Sequence, residues 1–256
     1  MDRHPSAVIS PDAKIGAGTT IGPFVVIEED VIIGDGNRIE AHAVIKRGTR
    51  IGDGNAIHEH AVIGGTPQDL KYTGAESFVW IGNRNAIHEG VTVHRGSREG
   101  SGTFIADDCM LMVCVHVAHD CKVGNGVIIA NNVAMGGEVE IDDKVFISGG
   151  VVIHQFTRMG RLAMIGGNSK IIQSVLPFFV TDGVPARVRG LNLIGLRRAG
   201  VSRDEIRLLK EAYRILLGSG LSLKAATLEV ERLGSPCTDT LAEFLRTAGP
   251  RGFHRK

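Results

Sequence analysis

The sequence has 256 residues, of which 43% are hydrophobic, 5% aromatic and 22% charged, with a formal net charge of +1. This balance excludes an intrinsically disordered chain, and the length allows one large domain or a large domain with a small one. No run of about 18 apolar residues occurs, so no membrane span is predicted. The start, MDRHPSAVISPD, lacks the apolar core of a secretory signal. We therefore expect a cytoplasmic protein.

The cysteines and the charge distribution add two further expectations. Cys109, Cys114, Cys121 and Cys237 form no Cys-x-x-Cys pair, so they are predicted to be reduced packing residues. Residues 187–256 hold 14 Lys and Arg against 7 Asp and Glu, leaving 15 against 21 in the rest. This basic C-terminal end suggests an acidic partner or a phosphate-bearing ligand, or alternatively a solvated helix face.

The segment 9–175 carries a period of six. An aliphatic residue recurs at every sixth position, and a small or β-branched residue often stands four positions after it. This period fits neither an α-helix nor a simple alternating strand. The recurring aliphatic residues are Ile9, Ile15, Ile21, Ile27, Ile33, Ile39, Ile45, Ile51, Ile57 and Ile63, then Ile81, Ile87 and Val93, then Ile105, Leu111, Val117, Val123, Ile129, Met135, Ile141, Ile147, Ile153, Met159, Ile165 and Ile171.

This hexapeptide repeat predicts a β-solenoid with three hexapeptides in each triangular coil, so that each residue stacks on its counterpart three hexapeptides later. Successive coils should rise by about 4.8 Å. The repeat is interrupted at 66–80 and at 99–104 without loss of phase, so each interruption is predicted to be a loop that leaves the prism. The periodicity does not determine the handedness of the coil.

A small helical domain is predicted after the repeat. Residues 178–185 read as irregular, and Ser202 should cap a helix with Ile206, Leu209, Tyr213 and Leu216 on its apolar face. Two further helices are predicted over about 222–233 and 239–247. The predicted domains are therefore a repeat domain, 1–190, with a protruding loop, 66–80, and a helical domain, 191–256.

The stacking of successive coils brings candidate catalytic groups into one column. Gly137 lies one coil after His119 and Gln155 one coil after Gly137, while His116 lies one corner back and His154 lies beside Gln155. A histidine is the usual general base at neutral pH, and a glycine N–H can stabilise an oxyanion. Asp120 should point away from His119 if the strand between them is regular.

A metal site is the competing interpretation, because His94, His116 and His119 could supply three zinc ligands, as in hexapeptide carbonic anhydrases. His42, His58, His60 and His88 are interpreted as polar residues on an exposed face of the solenoid.

Several segments together resemble the acyl-[acyl carrier protein]–UDP-N-acetylglucosamine O-acyltransferase family, which opens lipid A synthesis. The resemblance covers nearly the whole chain. It rests on IGPF (21–24), PQDLKY (67–72), VHRG (93–96), HVAHDC (116–121), ANN (130–132), HQF (154–156) and GLRRAG (195–200).

The resemblance implies a left-handed parallel β-helix with a helical C-terminal domain, assembled as a homotrimer with active sites between subunits. The implied reaction moves a 3-hydroxyacyl chain from acyl carrier protein to the glucosamine 3-hydroxyl of UDP-N-acetylglucosamine. It implies no cofactor or metal, and no nucleic acid partner.

The resemblance also implies residue roles. His119 would be the general base, backed by Asp120, and the N–H of Gly137 would hold the oxyanion. The remaining implied contacts are Asp69 and Lys71 to the sugar and acyl end, His94, His116 and Gln155 to the nucleotide sugar, His154 and Gly167 along the acyl chain, Asn192 to uracil, and Arg198 to phosphate or the carrier protein.

Three positions depart from the family pattern: Glu138 replaces a frequent histidine, Ile194 a frequent acidic residue and Ala199 a frequent arginine. These departures leave open a 3-amino sugar as acceptor. Other rivals are the later N-acyltransferase of the pathway, which would carry an extra N-terminal domain, and a non-catalytic solenoid. Gly167 suggests room for a longer acyl chain.

Overall fold

The computed structural model describes residues 2–247 and 249–254. The repeat folds into a three-sided prism in which each hexapeptide contributes a short strand to one of three sheets. Each strand pairs in parallel with its counterpart one coil away, as in the pairing of Val44 with Val62. The predicted coil is confirmed.

The three faces are named A, B and C. Face A contains β1(Asp2–Arg3), β4(Thr20–Ile21), β7(Arg38–Ile39), β10(Ala56–Ile57), β13(Ala86–Ile87), β16(Met110–Leu111), β19(Ile128–Ile129), β22(Phe146–Ile147), β25(Met164–Ile165), β27(Phe179–Asp182) and β28(Arg187–Leu191). Face B contains β2(Val8–Ile9), β5(Val26–Ile27), β8(Val44–Ile45), β11(Val62–Gly65), β14(Thr92–His94), β17(His116–Val117), β20(Ala134–Met135), β23(Val152–Ile153) and β26(Lys170–Ile171). Face C contains β3(Lys14–Ile15), β6(Ile32–Ile33), β9(Thr49–Ile51), β12(Phe78–Ile81), β15(Gly102–Ile105), β18(Lys122–Val123), β21(Glu140–Ile141) and β24(Arg158–Met159).

The recurring aliphatic residues form the core of the prism. Those from Ile21 to Ile171 are 0–4% exposed, whereas Ile9 and Ile15 in the first coil are only partly buried. Each such side chain contributes roughly 1.5–3 kcal/mol when fully buried, so the stack and not any single hexapeptide supplies the core.

Most corners of the prism have a left-handed backbone at the third residue after the inward aliphatic residue. Glycine is one solution, as at Gly54 (φ 65°), but Asp120 (φ 59°) and Glu138 (φ 57°) adopt the same conformation. Asparagine and aspartate tolerate this conformation better than most residues. The left-handed corner turns the chain from one face to the next and re-aims the side chains beside it.

Both interruptions are shorter than predicted, because part of each belongs to the prism. Residues 78–80 lie in β12, where Val79 pairs with Thr49 and is fully buried, so the first loop spans only 66–77. Residues 102–104 lie in β15. Ile81 pairs with Ile51, 30 positions earlier, and with Ile105, 24 positions later. A regular coil has 18 residues, so the first insertion lengthens its coil by two hexapeptides and the second by one. Because both lengths are multiples of six, the hexapeptide phase is kept.

The stretch after Pro177 is more regular than predicted. β27 and β28 form an antiparallel hairpin whose turn contains the cis peptide Val184–Pro185. Among the described residues four helices follow: α1(Leu193–Arg198), α2(Arg203–Gly218), α3(Leu223–Glu231) and α4(Pro236–Arg246). The first of these was not predicted, and α4 begins three residues before the predicted position.

The predicted start of α2 is confirmed, because the Ser202 hydroxyl accepts a hydrogen bond from the Glu205 N–H. The helices share a second core with the end of the prism, in which Leu176, Phe179, Leu209 and Leu241 are all fully buried. The proposed boundary at residue 190 stays a prediction.

The cysteines agree with expectation except at one position. All four are free; Cys109 and Cys121 are buried, whereas Cys114 is exposed at a left-handed corner and packs nothing inside the prism. No helix in the part of the chain that the structure describes is long and apolar enough to cross a membrane.

Candidate active site

The candidate catalytic pair lies at the corner where face B turns into face C. His119 directly precedes the left-handed residue Asp120. Its Nδ1 lies 2.9 Å from Asp120 Oδ2, and the two side chains are 13% and 5% exposed. The expectation that Asp120 points away from His119 is therefore wrong, because the left-handed corner interrupts the strand and turns the carboxylate back toward the ring.

Ser97 holds the Asp120 carboxylate in place. Asp120 Oδ2 accepts hydrogen bonds from the Ser97 N–H at 3.0 Å and the Ser97 hydroxyl at 2.7 Å. Burial opposes ionisation of Asp120, but hydrogen bonds from nearby serine side chains and His119 outweigh it and hold the pKa of this carboxyl below its usual range. Because a carboxylate only accepts hydrogen bonds, Nδ1 of His119 must carry the proton, which leaves Nε2 to act as a base.

An arginine missed by the sequence analysis bridges two corners. Arg98 Nη1 donates to Glu138 Oε1 at 2.8 Å, and Nη2 lies 3.7 Å from Asp120 Oδ1. The Glu138 hydrogen bond, followed by the charge of Asp120, raises the pKa of Arg98, and Asp69 in the 66–77 loop adds to the effect. Ser97 and Arg98 adjoin the second interruption, which was the signal that could have identified them.

Gly137 lies directly beneath the His119 ring. A Cβ built on Gly137 would lie 2.4 Å from Cε1 and 2.5 Å from Nε2 of His119. The predicted column of these two residues is thus confirmed. The Gly137 N–H donates to no backbone carbonyl within residues 2–247 and 249–254. It is therefore free to bind an oxyanion next to the base.

Two further imidazoles line face B next to this corner. His94 is 9% exposed and meets the His116 ring edge-on, with the ring centroids 4.8 Å apart. Burial, followed by the charges of His116 and His119, lowers the pKa of His94 to about 4. Burial also lowers the pKa of His116, whose Nδ1 lies 2.7 Å from the Thr92 hydroxyl.

The buried Nδ1 of His94 has no hydrogen-bond partner within the described chain. The nitrogens of His94, His116 and His119 do not all lie within 4.8 Å of one another. This geometry does not favour the zinc alternative.

The 66–77 loop is anchored beside these histidines. Arg95 donates to the Gly64 carbonyl at 3.0 Å and to the Tyr72 hydroxyl at 3.1 Å. Asp69 is half-buried and Lys71 is exposed, with the Lys71 N–H donating to Asp69 Oδ1 at 2.9 Å. The loop therefore places Asp69 close enough to Arg98 to affect its charge, while Lys71 is exposed on the same loop.

The remaining predicted residues occupy three corners. His154 and Gln155 are exposed at the B–C corner one coil beyond Gly137, and Gly167 is exposed at the A–B corner. Asn192 is buried near the C–A corner, where it accepts from the Gly195 N–H and donates to the Leu162 carbonyl, each at 2.9 Å. Arg198 is exposed at the end of α1. One chain thus does not bring all these residues together.

Comparison with known proteins gives first the class and then the family. Residues 12–47, 30–65 and 102–137 match the bacterial transferase hexapeptide model, so the chain is a hexapeptide-repeat transferase. Residues 175–254 match the model of domain 2 of UDP-N-acetylglucosamine O-acyltransferase.

A relative from Alkalilimnicola ehrlichii, named acyl-[acyl-carrier-protein]–UDP-N-acetylglucosamine O-acyltransferase, is 45% identical over 254 residues, 98% of each chain. A Synechocystis relative of the same name is 48% identical over 170 residues, covering 66% of this chain and 62% of the relative. This chain belongs to the acyl-[acyl carrier protein]–UDP-N-acetylglucosamine O-acyltransferase family.

Solved structures agree with this assignment. The UDP-N-acetylglucosamine acyltransferase of Bacteroides fragilis superposes with a TM-score of 0.94 at 43% identity, over 98% of this chain and 99% of that one. The Francisella novicida enzyme gives a TM-score of 0.96 at 33% identity, over 99% and 94%. The predicted left-handed parallel β-helix with a small helical domain is thereby confirmed.

Proposed function

We propose that this protein transfers a 3-hydroxyacyl chain from the thioester of acyl carrier protein to the glucosamine 3-hydroxyl of UDP-N-acetylglucosamine, the first step of lipid A synthesis. The observation that carries the mechanism is the His119–Asp120 pair placed over the free N–H of Gly137. A base and an oxyanion donor beside one reacting carbon are the two groups that acyl transfer needs.

In the proposed reaction, Nε2 of His119 removes the proton of the sugar 3-hydroxyl while its oxygen attacks the thioester carbonyl carbon. The carbonyl oxygen becomes an oxyanion and accepts a hydrogen bond from the Gly137 N–H. Collapse of the tetrahedral intermediate breaks the carbon–sulfur bond, and the departing thiolate takes the proton from His119. Both substrates react directly, so no covalent enzyme intermediate forms.

The predicted substrate contacts have different degrees of geometric support. His94 and His116 line face B beside the proposed base, and Asp69 in the loop lies near Arg98, which supports contacts by these residues to the substrates. Lys71 is exposed on the same loop. Asn192 already uses both of its amide atoms to cap α1 and to hold Leu162. A uracil contact by Asn192 would therefore use its second amide N–H or the remaining lone pair of its oxygen.

The proposed assembly is a homotrimer in the cytoplasm, with each active site between two chains. Its support is the distribution of the predicted substrate residues over three different corners of one prism. Leu70, fully exposed in the 66–77 loop, is an apolar contact that a neighbouring chain would cover.

The test is acyl transfer from 3-hydroxyacyl carrier proteins of several chain lengths to UDP-N-acetylglucosamine. We expect His119→Ala to reduce the rate by about 10²–10⁴-fold, because the general base is lost. His154→Ala is the control, because it removes an exposed imidazole on the same corner two coils away, and its expected loss is smaller. Full activity of His119→Ala would contradict this mechanism, and transfer only to the 3-amino sugar would change the acceptor.

A further inference from the structure

The tetrapeptide Ala-Ile-His-Glu occurs twice, at 56–59 and at 86–89. Ala56 pairs with Ala86 and Ile57 with Ile87 in adjacent parallel strands. The two His-Glu pairs therefore follow in the same register at the A–B corner. The rings of His58 and His88 stack with their centroids 4.5 Å apart and their planes 7° from parallel.

A carboxylate adjoins each ring. Glu89 Oε2 lies 3.5 Å from His88 Nδ1, and Glu59 Oε2 lies 3.9 Å from His58 Nδ1. Ligand atoms of His58, His88 and Glu89 all lie within 4.8 Å of one another, and in the described part of the chain no other three His, Cys, Asp or Glu side chains meet that spacing. All four side chains reach solvent, with exposures of 21–48%.

We propose that His58, His88 and Glu89 bind a divalent first-row transition ion, with Glu59 as the fourth ligand. Imidazole nitrogen favours zinc and its neighbours over magnesium or calcium, and two carboxylates offset the charge of the ion. Ligand atoms about 2.0–2.2 Å from zinc are roughly 3.3–3.6 Å apart in a tetrahedral site. The His88–Glu89 pair already has this spacing. The two stacked rings, which are nearly parallel here, would have to tilt toward each other to reach it.

The site is separate from the catalytic corner, since His58 and His88 follow strands of face A whereas His119 follows a strand of face B. His58 belongs to the coil before the 66–77 loop and His88 to the coil after it, so the site joins these two successive coils. An ion bound there would tie these coils together and stabilise the folded protein, because the unfolded chain does not present the four ligands in this arrangement.

A second stacked pair provides a matched control. The rings of His42 and His60 are 5.0 Å apart and 4° from parallel, but they belong to no such group with a carboxylate within the described residues. The double variant His42→Asn/His60→Asn thus removes two stacked imidazoles without removing the proposed ligands.

The experiment titrates zinc into the chelator-treated, full-length protein by calorimetry and counts bound zinc after dialysis. We expect one zinc per chain and a rise in Tm of several degrees in the native protein and in His42→Asn/His60→Asn. The variant His58→Asn/His88→Asn should lose both the bound zinc and the Tm rise, and Glu89→Gln should bind at least 10-fold more weakly.

Absence of zinc binding by the native protein, or unchanged binding by His58→Asn/His88→Asn, would overturn the proposal. Circular dichroism without metal verifies that each variant folds. If His58→Asn/His88→Asn does not fold, Glu89→Gln alone tests the site. These measurements detect bound metal and not acyl transfer, so they succeed or fail independently of the proposed function.

Discussion

The contact between His119 and Asp120 shows how a single backbone conformation makes a site. Adjacent residues of a regular strand point to opposite sides, so their side chains do not meet. The left-handed backbone at Asp120 (φ 59°) brings its carboxylate to 2.9 Å from the ring of its neighbour. The solenoid corner therefore brings two consecutive residues together as the proposed catalytic pair.

Gly137→Ala tests the close approach between the glycine and His119, the proposed base. The added Cβ would lie 2.4 Å from the His119 ring, so the ring must move and lose its alignment with Asp120. We expect acyl transfer to fall by about 10²-fold or more, since misplacing a catalytic group by about 1 Å has that effect.

The matched control for this variant is Gly167→Ala, whose Cβ would meet Gly149 O at an ordinary 3.4 Å. It should keep a rate close to native with short acyl chains. Equal losses in the two variants, measured as kcat at saturating donor, would argue against the proposed geometry.

The buried histidines predict a pH dependence of stability. Burial lowers the folded-state pKa of His94 to about 4 and lowers those of His116 and His254, against about 6.5 in an unfolded chain. Between these values the unfolded state binds more protons than the folded state, so stability falls as the pH falls from about 6.5 toward 4.

Urea midpoints measured from pH 7.5 to 4.5 check this expectation. His94→Gln removes one of the three groups and should give a shallower decline than the native protein. An equal decline in both proteins would show that His94 does not titrate as described.

At the scale of the element, an asparagine ladder joins coils on the corner between faces C and A. Asn37, Asn55 and Asn85 are each 1% exposed. The side-chain oxygen of Asn37 accepts from the Asn55 N–H at 2.8 Å, and that of Asn55 accepts from the Asn85 N–H at 2.8 Å. The ladder satisfies buried backbone groups that the sheets leave unpaired, even across the coil with the long insertion.

Asn55→Ala should lower the free energy of unfolding by about 2–3 kcal/mol, because it leaves buried polar groups without partners. Asn125→Ala, at an exposed corner of the same kind, should cost about 1 kcal/mol or less. Chemical denaturation of both variants measures the difference. A loss for Asn55→Ala no larger than that for Asn125→Ala would mean that water replaces the ladder.

At the scale of the whole molecule, the predicted substrate residues do not meet within one chain. His119, the proposed base, lies at the B–C corner, Gly167 at the A–B corner and Asn192 near the C–A corner. Adjacent copies related by a threefold axis would place different corners against each other, and a ring of such contacts closes.

Mixing two inactive variants tests this arrangement. His119→Ala and Arg198→Glu should each be inactive alone. In randomly mixed trimers, about a quarter of the interfaces would pair an intact His119 of one chain with an intact Arg198 of the next. We expect co-expressed variants to recover up to that fraction of native activity. Failure to recover any activity, in particles with three times the 27.3 kDa mass of one chain, would place each site within one chain.

The sequence by itself determined the prism, because an aliphatic residue at every sixth position buries only if three short strands make each coil. It also determined the column of His119 and Gly137, since their stacking one coil apart follows from that prism. The start of α2 was equally local, because a serine followed by acidic residues caps a helix wherever it lies.

Only the tertiary structure decided where the corners aim side chains and which residues the insertions deliver. The contact of Asp120 with His119 does not follow from the repeat spacing, because it depends on the left-handed backbone of the corner. The contacts of Ser97 and Arg98 with Asp120 depend on the second insertion, whose path the repeat spacing does not predict. The hairpin β27–β28 and the short helix α1 likewise exist only because the end of the prism offers them a partner. The period of buried residues can be read from the sequence, whereas contacts between side chains of different coils and loops depend on how the coils stack.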